Sequence, residues 1–362
     1  MLFQERVKAL YAEKGGLAWK LGFPDRRVES YRKVPLQVVS EFPLAYQGIV
    51  KLEGSVPKPV VLLSMEEAKK TYAVFLENRK KTRVSKEKDF FAALVEDIYD
   101  QGFFLYIPPN TKIEETISLS FLYSGKDAHF VPHLQIFVGR GAKVKFCFSP
   151  KFESFSSGMI TQLMDIYLDK NSSCDFVDKT DLPYEAIYMN SVRASLKEGS
   201  LFKFWSISEG SKFFRQDFRV ELLEERCEAV LKGASDLKGD RVSYTEVLME
   251  HKAPYAKSNQ QFKAVMRDQS RSTFEGKIFV APEAQKTEAY QLNNNLLLGE
   301  KSTVFSKPNL EIFADDVKAS HGATVTKLSR EELFYLQTRG IGKGEAAKFL
   351  AKGFLKDITD GI

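Results

Sequence analysis

The chain has 362 residues, of which 43% are hydrophobic and 28% are charged, a composition typical of a folded protein with a sizeable core. Its 53 Lys and Arg residues against 48 Asp and Glu residues leave a net charge of +5, spread along the whole length, which does not indicate a nucleic-acid-binding protein. The three cysteines, Cys147, Cys174 and Cys227, form no CxxC pair. They therefore exclude a disulfide framework and a cysteine-rich zinc or iron-sulfur site of the usual spacing.

The N-terminal segment does not have the pattern of a signal peptide. Glu5, Arg6 and Lys8 stand where an apolar run would be needed, and no stretch approaches the roughly 18 apolar residues of a membrane helix. Because the cysteine usage also suits a reducing compartment, we expect a cytoplasmic protein with no membrane partner.

Residues 1–112 predict a mixed, helical N-terminal region. A short amphipathic helix is expected near residues 3–13, and two more follow a proline-rich stretch. Ser64 and Glu67 form a capping-box pattern before the first of these two, and Gly102 is expected to end the second. A run of basic residues lies between them and predicts a solvated face rather than a basic groove: Lys69, Lys70, Arg79, Lys80, Lys81 and Arg83.

Residues 113–327 predict an all-β region. Segments such as LQIFV, KVKFCF and LFKFWSI follow one another with short polar turns and no convincing helix between them. A sandwich, a jelly roll and a β-solenoid all remain open, because no strict residue repeat is present. The run Asn293–Asn295 indicates either stacked turns with an amide ladder or a polar turn before a buried strand.

Residues 328–362 predict a C-terminal helical region. Ser329 and Glu332 form a second capping-box pattern, and Gly340 and Gly342 interrupt the helix. A last helix would carry one apolar stripe, formed by Ala346, Phe349, Leu350, Gly353 and Phe354. This stripe either packs on its own domain or docks a partner, and the pattern alone favours packing.

The sequence lacks the common catalytic motifs. No Gly-Lys pair is followed by Ser or Thr, so a P-loop is absent and ATP hydrolysis by that route is not expected. His129 and His133 have HxxxH spacing, but Pro132 opposes a helix, and in a strand the two would stand about 13 Å apart, too far to share one ion.

The densest polar constellation lies between residues 310 and 325. Asp315, Asp316 and His321 carry hydrogen-bonding or metal-binding groups, and Gly322 permits a turn beside the histidine. Taken alone, the pattern favours aspartates that cap turns and a histidine bonded to a backbone carbonyl.

The segment 276–341 resembles the SufB/SufD family of iron-sulfur cluster assembly proteins, and weaker similarity covers residues 22–36 and 251–265. The absence of cysteine from Asn293–Asn295, where SufB-like sequences carry one, makes the chain more similar to SufD than to SufB. The motifs that carry the resemblance are Ala284-Gln285-Lys286-Thr287, Lys307-Pro308, Ala314-Asp315-Asp316-Val317, Ser320-His321-Gly322-Ala323-Thr324, Leu333-Phe334-Tyr335-Leu336 and Arg339-Gly340-Ile341.

The resemblance implies a fold and a shared function. The fold would be mainly β, a right-handed parallel β-helix core flanked by helical N- and C-terminal regions. The function would be that of a non-catalytic scaffold subunit in a complex with a SufB-like subunit and a SufC-like ATPase, which would hydrolyse the ATP. His321 would lend a ligand to a transient iron-sulfur cluster shared with SufB, beside Asp315 and Asp316, and no cluster would be held stably by this chain alone. Ala319 stands where many SufD sequences have cysteine.

The resemblance also implies a docking surface for SufC in the C-terminal region, formed by Leu333, Phe334, Arg339, Phe349, Leu350 and Phe354. Two other interpretations stay open. Parallel β-helices include polysaccharide-active enzymes, for which Asp315 and Asp316 would be the candidate acids. The chain could also act as a homodimer that pairs through its sheet edges.

Overall fold

The computed structural model describes residues 2–14, 16–43, 46–82, 86–99, 101–360 and 362. Helices lie at both ends of this part of the chain, as predicted. They are α1 (Phe3–Lys14), α2 (Leu17–Leu21), α3 (Leu36–Ser40), α4 (Met65–Thr71), α5 (Ala73–Thr82), α6 (Phe90–Ile98), α7 (Arg330–Thr338) and α8 (Lys343–Thr359), with a short 3-10 helix at Glu29–Tyr31.

Among the N-terminal helices, α1, α4 and α6 begin where the sequence predicts, whereas α2, α3 and α5 are not predicted by it. The capping box of α4 is confirmed, since the Ser64 side chain accepts from the backbone of Glu67 and the Glu67 side chain accepts from the backbone of Ser64. The prediction that Gly102 ends α6 is wrong, because the helix stops at Ile98 and Gly102 lies in the next strand. Glycine is required there for close packing, since a Cβ atom at this position would lie 2.8 Å from Cβ of Met65.

Strands occupy most of the chain between the helical ends. They are β1 (Tyr46–Gln47), β2 (Ile49–Glu53), β3 (Val61–Ser64), β4 (Gln101–Ile107), β5 (Lys112–Ser124), β6 (Ala128–Phe130), β7 (Pro132–Val138), β8 (Lys143–Phe148), β9 (Lys151–Glu153), β10 (Gly158–Leu168), β11 (Ser173–Thr180), β12 (Ala186–Leu196), β13 (Leu201–Ser208), β14 (Phe213–Leu222), β15 (Glu228–Leu237), β16 (Val242–His251), β17 (Lys257–Met266), β18 (Arg271–Val280), β19 (Thr287–Leu297), β20 (Thr303–Ile312) and β21 (Val317–Lys327).

These strands form two facing sheets wound into a parallel β-helix. One sheet runs in the order β20-β18-β16-β14-β12-β10-β7-β4-β3 and the other in the order β2-β5-β8-β11-β13-β15-β17-β19-β21. From β10 onward, successive strands along the chain enter opposite sheets, and every neighbouring pair from β10 to β20 and from β8 to β21 is parallel. The β-helix implied by the resemblance is therefore confirmed, and the sandwich and the jelly roll are excluded.

The coils stack identical kinds of side chain in columns inside the β-helix. Phe176 is in register with Phe146 on one side and with Phe204 on the other, and the rings of Phe176 and Phe204 stack at 5.1 Å. A stacked pair such as Gln260 and Gln291 is 31 residues apart along the chain. Only the inward positions are constrained in this way, which explains why the sequence shows no strict repeat.

The Asn293–Asn295 run belongs to this stack and not to a turn. Both interpretations given by the sequence are wrong, because all three residues lie within β19. Asn293 and Asn295 are buried and joined by a side-chain hydrogen bond of 2.7 Å, while the Asn294 amide donates to the Thr324 hydroxyl on β21. The amides therefore bond within their own strand and to the next coil.

The N-terminal helices cover the outer face of the first sheet. Asp89 caps α6 by accepting from the backbone of Ala92, and it also pairs with Arg215 of β14 at 2.8 Å. Burial alone would raise the pKa of Asp89, but the nearby guanidinium groups, Arg215 first among them, outweigh it and lower the pKa.

Strands β2, β3 and β4 lie before residue 112 and join the two sheets, so the β-helix begins inside the predicted N-terminal region. The proposed domain boundaries themselves stay predictions.

The C-terminal helix packs on the outer face of the second sheet. Ala351 lies in a cluster with Val265 and Leu296, and Lys263 pairs with Asp357 at 2.7 Å. The predicted stripe of α8 is divided, because Ala346 is buried and Phe354 contacts this cluster while Phe349 is 65% exposed. No described helix is long and apolar enough to cross a membrane.

Candidate functional site at the C-terminal edge of the β-helix

His321 lies on β21, the last strand of the second sheet. Its side chain is exposed, and β21 is in register with β19 so that His321 stands beside Gln291. Within the described residues, no strand pairs with the other edge of β21. An unpaired edge presents free backbone donors and acceptors to another chain.

The His321 side chain continues an inward-facing polar column. Paired residues of parallel strands point to the same side of the sheet, and Gln291 is only 2% exposed inside the β-helix. The amide of Gln291 donates to Gln260 of the preceding coil at 2.9 Å. His321 therefore stacks on this column and is exposed because the β-helix is open at this end.

The structure does not bring the two aspartates to His321. Asp315 and Asp316 are exposed in the turn between β20 and β21, and Asp316 forms an ion pair with Lys286. The backbone amide of Asp316 donates to Gln285 at 3.0 Å, so this residue fixes the turn. His321 comes four residues after the first residue of β21, Val317, which places it about 13 Å along the strand from the turn.

The three cysteines lie far from His321 along the stack. Cys147 is on β8 and Cys174 on β11, while Cys227 precedes β15 and its thiol donates to the backbone carbonyl of Glu224 at 3.0 Å. Burial raises the pKa of the Cys174 thiol well above its ordinary value, and burial also raises the pKa of Cys227. None of them is placed to complete a thiolate set with His321. The position two residues before His321 is the half-buried Ala319, which offers no thiol.

Apolar side chains surround the open end. Phe313, in the turn before β21, is 60% exposed, and Val325 on β21 is 53% exposed. Leu292 on β19 and Phe305 on β20 are also exposed large hydrophobic residues. The edge therefore combines unpaired backbone groups, one imidazole and a hydrophobic rim, features typical of a protein interface.

The structure divides the residues of the predicted SufC-docking surface between exposed and packed positions. Phe334 on α7 is 68% exposed and Phe349 on α8 is 65% exposed, and Arg339 is exposed with its guanidinium 5.2 Å from the ring of Tyr335. The half-buried positions are Leu333, Leu350 and Phe354, of which Phe354 contacts the cluster beneath α8.

Sequence reasoning missed two buried polar groups. Arg193 of β12 pairs with Glu87 at 2.8 Å and with Asp217 at 2.6 Å under the N-terminal segment. The sequence signal for this network is the presence of charged residues such as Arg193 inside otherwise apolar strands. The second group surrounds His133, which bonds to Asp165 at 2.8 Å.

His129 and His133 stand on separate strands, and His129 contacts the hydroxyl of Thr161 at 3.0 Å. The basic run also differs from the prediction. Lys69 and Lys70 are exposed, but Arg79 is largely buried in ion pairs with Glu96 and Asp165. The side chains of Lys80 and Lys81, and all of Arg83, lie outside the described part of the chain.

Residues 121–354, which span most of the β-helix, all of α7 and α8 as far as Phe354, match the family model described as the SUF system FeS cluster assembly, SufBD core domain. The chain belongs to the SufB/SufD family. The match includes His321 and all six residues of the predicted docking surface.

Three relatives place the chain within this family. It is 28% identical over 271 residues to an iron-sulfur cluster assembly SufBD family protein of Synechocystis sp., covering 71% of this chain and 59% of the relative. It is 41% identical over 123 residues to the iron-sulfur cluster assembly protein SufD of Escherichia coli, covering 34% of this chain and 29% of the relative. It is 23% identical over 344 residues to a SufBD family protein of Staphylococcus saprophyticus, covering 94% of this chain and 72% of the relative. The SufD-like character expected from the sequence is confirmed, and the chain spans less than two thirds of the first two relatives.

Proposed function

We propose that this protein is a SufD-like, non-catalytic scaffold subunit that assembles iron-sulfur clusters together with partner chains. The observation that carries the proposal is the exposed imidazole of His321 on the unpaired edge of β21. A histidine at an interface can supply one ligand to a cluster whose remaining ligands are thiolates of another chain.

The partner at this edge would be a SufB-like chain. An edge strand with a hydrophobic rim suits a β-strand of similar architecture, which would extend the sheet and bring its own ligands beside His321. The cluster is cargo in this scheme, formed at the shared site and passed on. The location of the cysteines supports a shared site, since they lie on or beside the coils of β8, β11 and β15.

The second partner would be a SufC-like ATPase at the C-terminal helices. Phe334 and Phe349 project from α7 and α8 while the opposite face of α8 is fixed to the β-helix, so a force applied to these helices would reach the sheet. ATP hydrolysis would then belong to that partner. A cytoplasmic location is part of the same proposal.

The test is cluster formation by the complex reconstituted with SufB-like and SufC-like chains. We expect His321→Ala to leave complex formation intact and to lower the yield of the visible iron-sulfur chromophore severalfold, because one ligand is lost. Ser320→Ala is the matched control, since Ser320 is exposed on the same strand and points to the opposite side.

Two outcomes would contradict the proposal in different ways. An unchanged cluster yield in His321→Ala would remove His321 from the site. Failure of the unmodified chain to bind either partner at micromolar concentration would remove the scaffold role. Light scattering of the chain alone and with the SufB-like partner would distinguish this pairing from a homodimer through the same edge.

A further inference from the structure

A buried cluster beside the N-terminal helices contains three side chains of metal-binding type. Glu96 lies on α6, His133 on β7 and Asp165 on β10, and one ligand atom from each lies within 4.8 Å of the others. Five strand steps separate β10 from β20 at the far end of the same sheet, which is about 24 Å. The cluster is therefore distinct from the edge that carries His321.

The β-helix determines this convergence. Along β7, Leu134 and Ile136 point into the core, so His133 points outward beneath the helices. Asp165 of the neighbouring strand points to the same side, and its Oδ2 atom lies 2.8 Å from Nε2 of His133. Glu96 approaches from α6 above the sheet.

Arg79 occupies the centre of the cluster. Its Nη2 atom contacts the carboxylates of Glu96 and Asp165 and lies 3.2 Å from Nε2 of His133. The carboxylates of Glu96 and Asp165 converge on this one point, an arrangement that favours a positive charge between them. The site is thus built to hold a cation.

The guanidinium pairs with both carboxylates, and its Nε atom also donates to Asp165 at 3.0 Å, but its contact with His133 is unfavourable. If Nε2 of His133 is unprotonated, the two protons of Nη2 face three acceptors. In that tautomer Nε2 also lies 2.8 Å from the Asp165 carboxylate, which is a second acceptor and cannot donate to it. If Nε2 carries the proton and donates to Asp165, it presents that N–H to the Arg79 donor instead. Either tautomer leaves one unfavourable contact, whereas a metal ion accepts lone pairs from all three residues.

The ligand spacing is close to what one ion requires. Nitrogen and oxygen ligands stand about 2.0–2.2 Å from a first-row metal, so they lie roughly 3–4 Å from one another. Since the three ligand atoms already lie within 4.8 Å, an inward movement of about 1 Å would bring them into coordination. One imidazole and two carboxylates suit Mn²⁺, Fe²⁺, Co²⁺ or Zn²⁺.

The cluster is reached from two surface cavities. Arg79 and Asp165 line a cavity of about 540 Å³, and Glu96 lines another of about 800 Å³. Because Arg79 itself lines the smaller cavity, a rotation of its side chain would carry the guanidinium into that space. These cavities provide both an entry route for the ion and a place for the displaced guanidinium.

The geometry points to a binding site for one divalent first-row transition metal ion at Glu96, His133 and Asp165, in which Arg79 is an exchangeable cation that competes with the metal. This inference does not depend on the proposed role in cluster assembly. It concerns this chain alone and can be tested without partners.

The test is titration of the purified, metal-free full chain with Co²⁺, followed by its visible absorption spectrum. Every variant carries His321→Ala as well, so that the exposed imidazole does not bind the probe. We expect one equivalent of Co²⁺ to bind, with an affinity at least about tenfold higher in Arg79→Gln because the competitor is removed. Arg140→Gln, at an exposed arginine, is the matched control and should leave the affinity unchanged.

Asp165→Asn and His133→Gln should each abolish the spectrum. Circular dichroism confirms the fold, and a rise in the melting temperature of Arg79→Gln on adding Mn²⁺ provides a second readout should this variant be less stable. The inference is overturned if the chain with native Arg79 binds no Co²⁺ at 1 mM, whatever Arg79→Gln does, or if Asp165→Asn retains full binding.

Discussion

Asp178 predicts an unusual dependence of stability on pH. This residue lies on β11 with its side chain inside the β-helix, where it is fully buried and accepts a hydrogen bond of 2.8 Å from Thr180. Burial raises the pKa of Asp178 from 3.8 to about 7, and the bond from Thr180 offsets only part of this effect. We therefore expect Asp178→Asn, which keeps the shape but removes the charge, to be stabilising at high pH.

The magnitude follows from the linkage between protonation and folding. Between the unfolded pKa near 3.8 and the folded pKa near 7, the folded chain holds a proton that the unfolded chain has lost, so stability falls as pH rises. Each pH unit in this window costs about 1.4 kcal/mol. Between pH 5 and pH 8 the free energy of unfolding of Asp178→Asn should therefore gain about 3 kcal/mol relative to the unmodified chain.

Urea denaturation of both chains at pH 5, 6, 7 and 8 measures this difference, and other titrating groups cancel because the two chains share them. Asp175→Asn is the matched control, since Asp175 lies on the same strand and points to the opposite side. It corrects for the loss of one carboxylate from β11. A stability difference between Asp178→Asn and the unmodified chain that stays constant from pH 5 to pH 8 would refute the reasoning.

Two further predictions concern the core and the docking surface. Phe204→Ala should lower the free energy of unfolding by about 3–5 kcal/mol, because the Phe204 ring stacks on Phe176 at 5.1 Å and contacts Phe218 at 5.3 Å. A loss below about 1 kcal/mol in urea denaturation would contradict a stabilising role for this phenylalanine column. Phe334→Asp combined with Phe349→Asp should abolish copurification with the SufC-like ATPase and leave the melting temperature unchanged, since the rings are 68% and 65% exposed. Retained copurification would place the ATPase elsewhere.

Much of the local structure could be predicted from the sequence. Alternation of apolar and polar residues in LFKFWSI matches the observed inward positions of Phe202 and Phe204, because burial on one face of a strand repeats every second residue. The N-caps Ser64 and Ser329 mark observed helix starts, since their side chains accept from nearby backbone amides. The motif around His321 also identified the edge that we propose as functional.

Contacts between distant segments could not be predicted in this way. Arg79 belongs to a basic run that suggested a solvated face, yet its partner Asp165 is 86 residues away. Arg215 and Asp89 are 126 residues apart and meet because the N-terminal helices cover the first sheet. No local pattern shows which outer face of a sheet another segment will cover.

The sequence alone determined the type of each main element, the inward side of its strands and membership of the family. The tertiary structure decided which polar side chains are buried together, where the β-helix ends and which face of α8 is exposed. The physical reason is that backbone hydrogen bonding and apolar periodicity act over a few residues. Burial of charge, by contrast, depends on how coils about 30 residues apart and the terminal helices pack against one another.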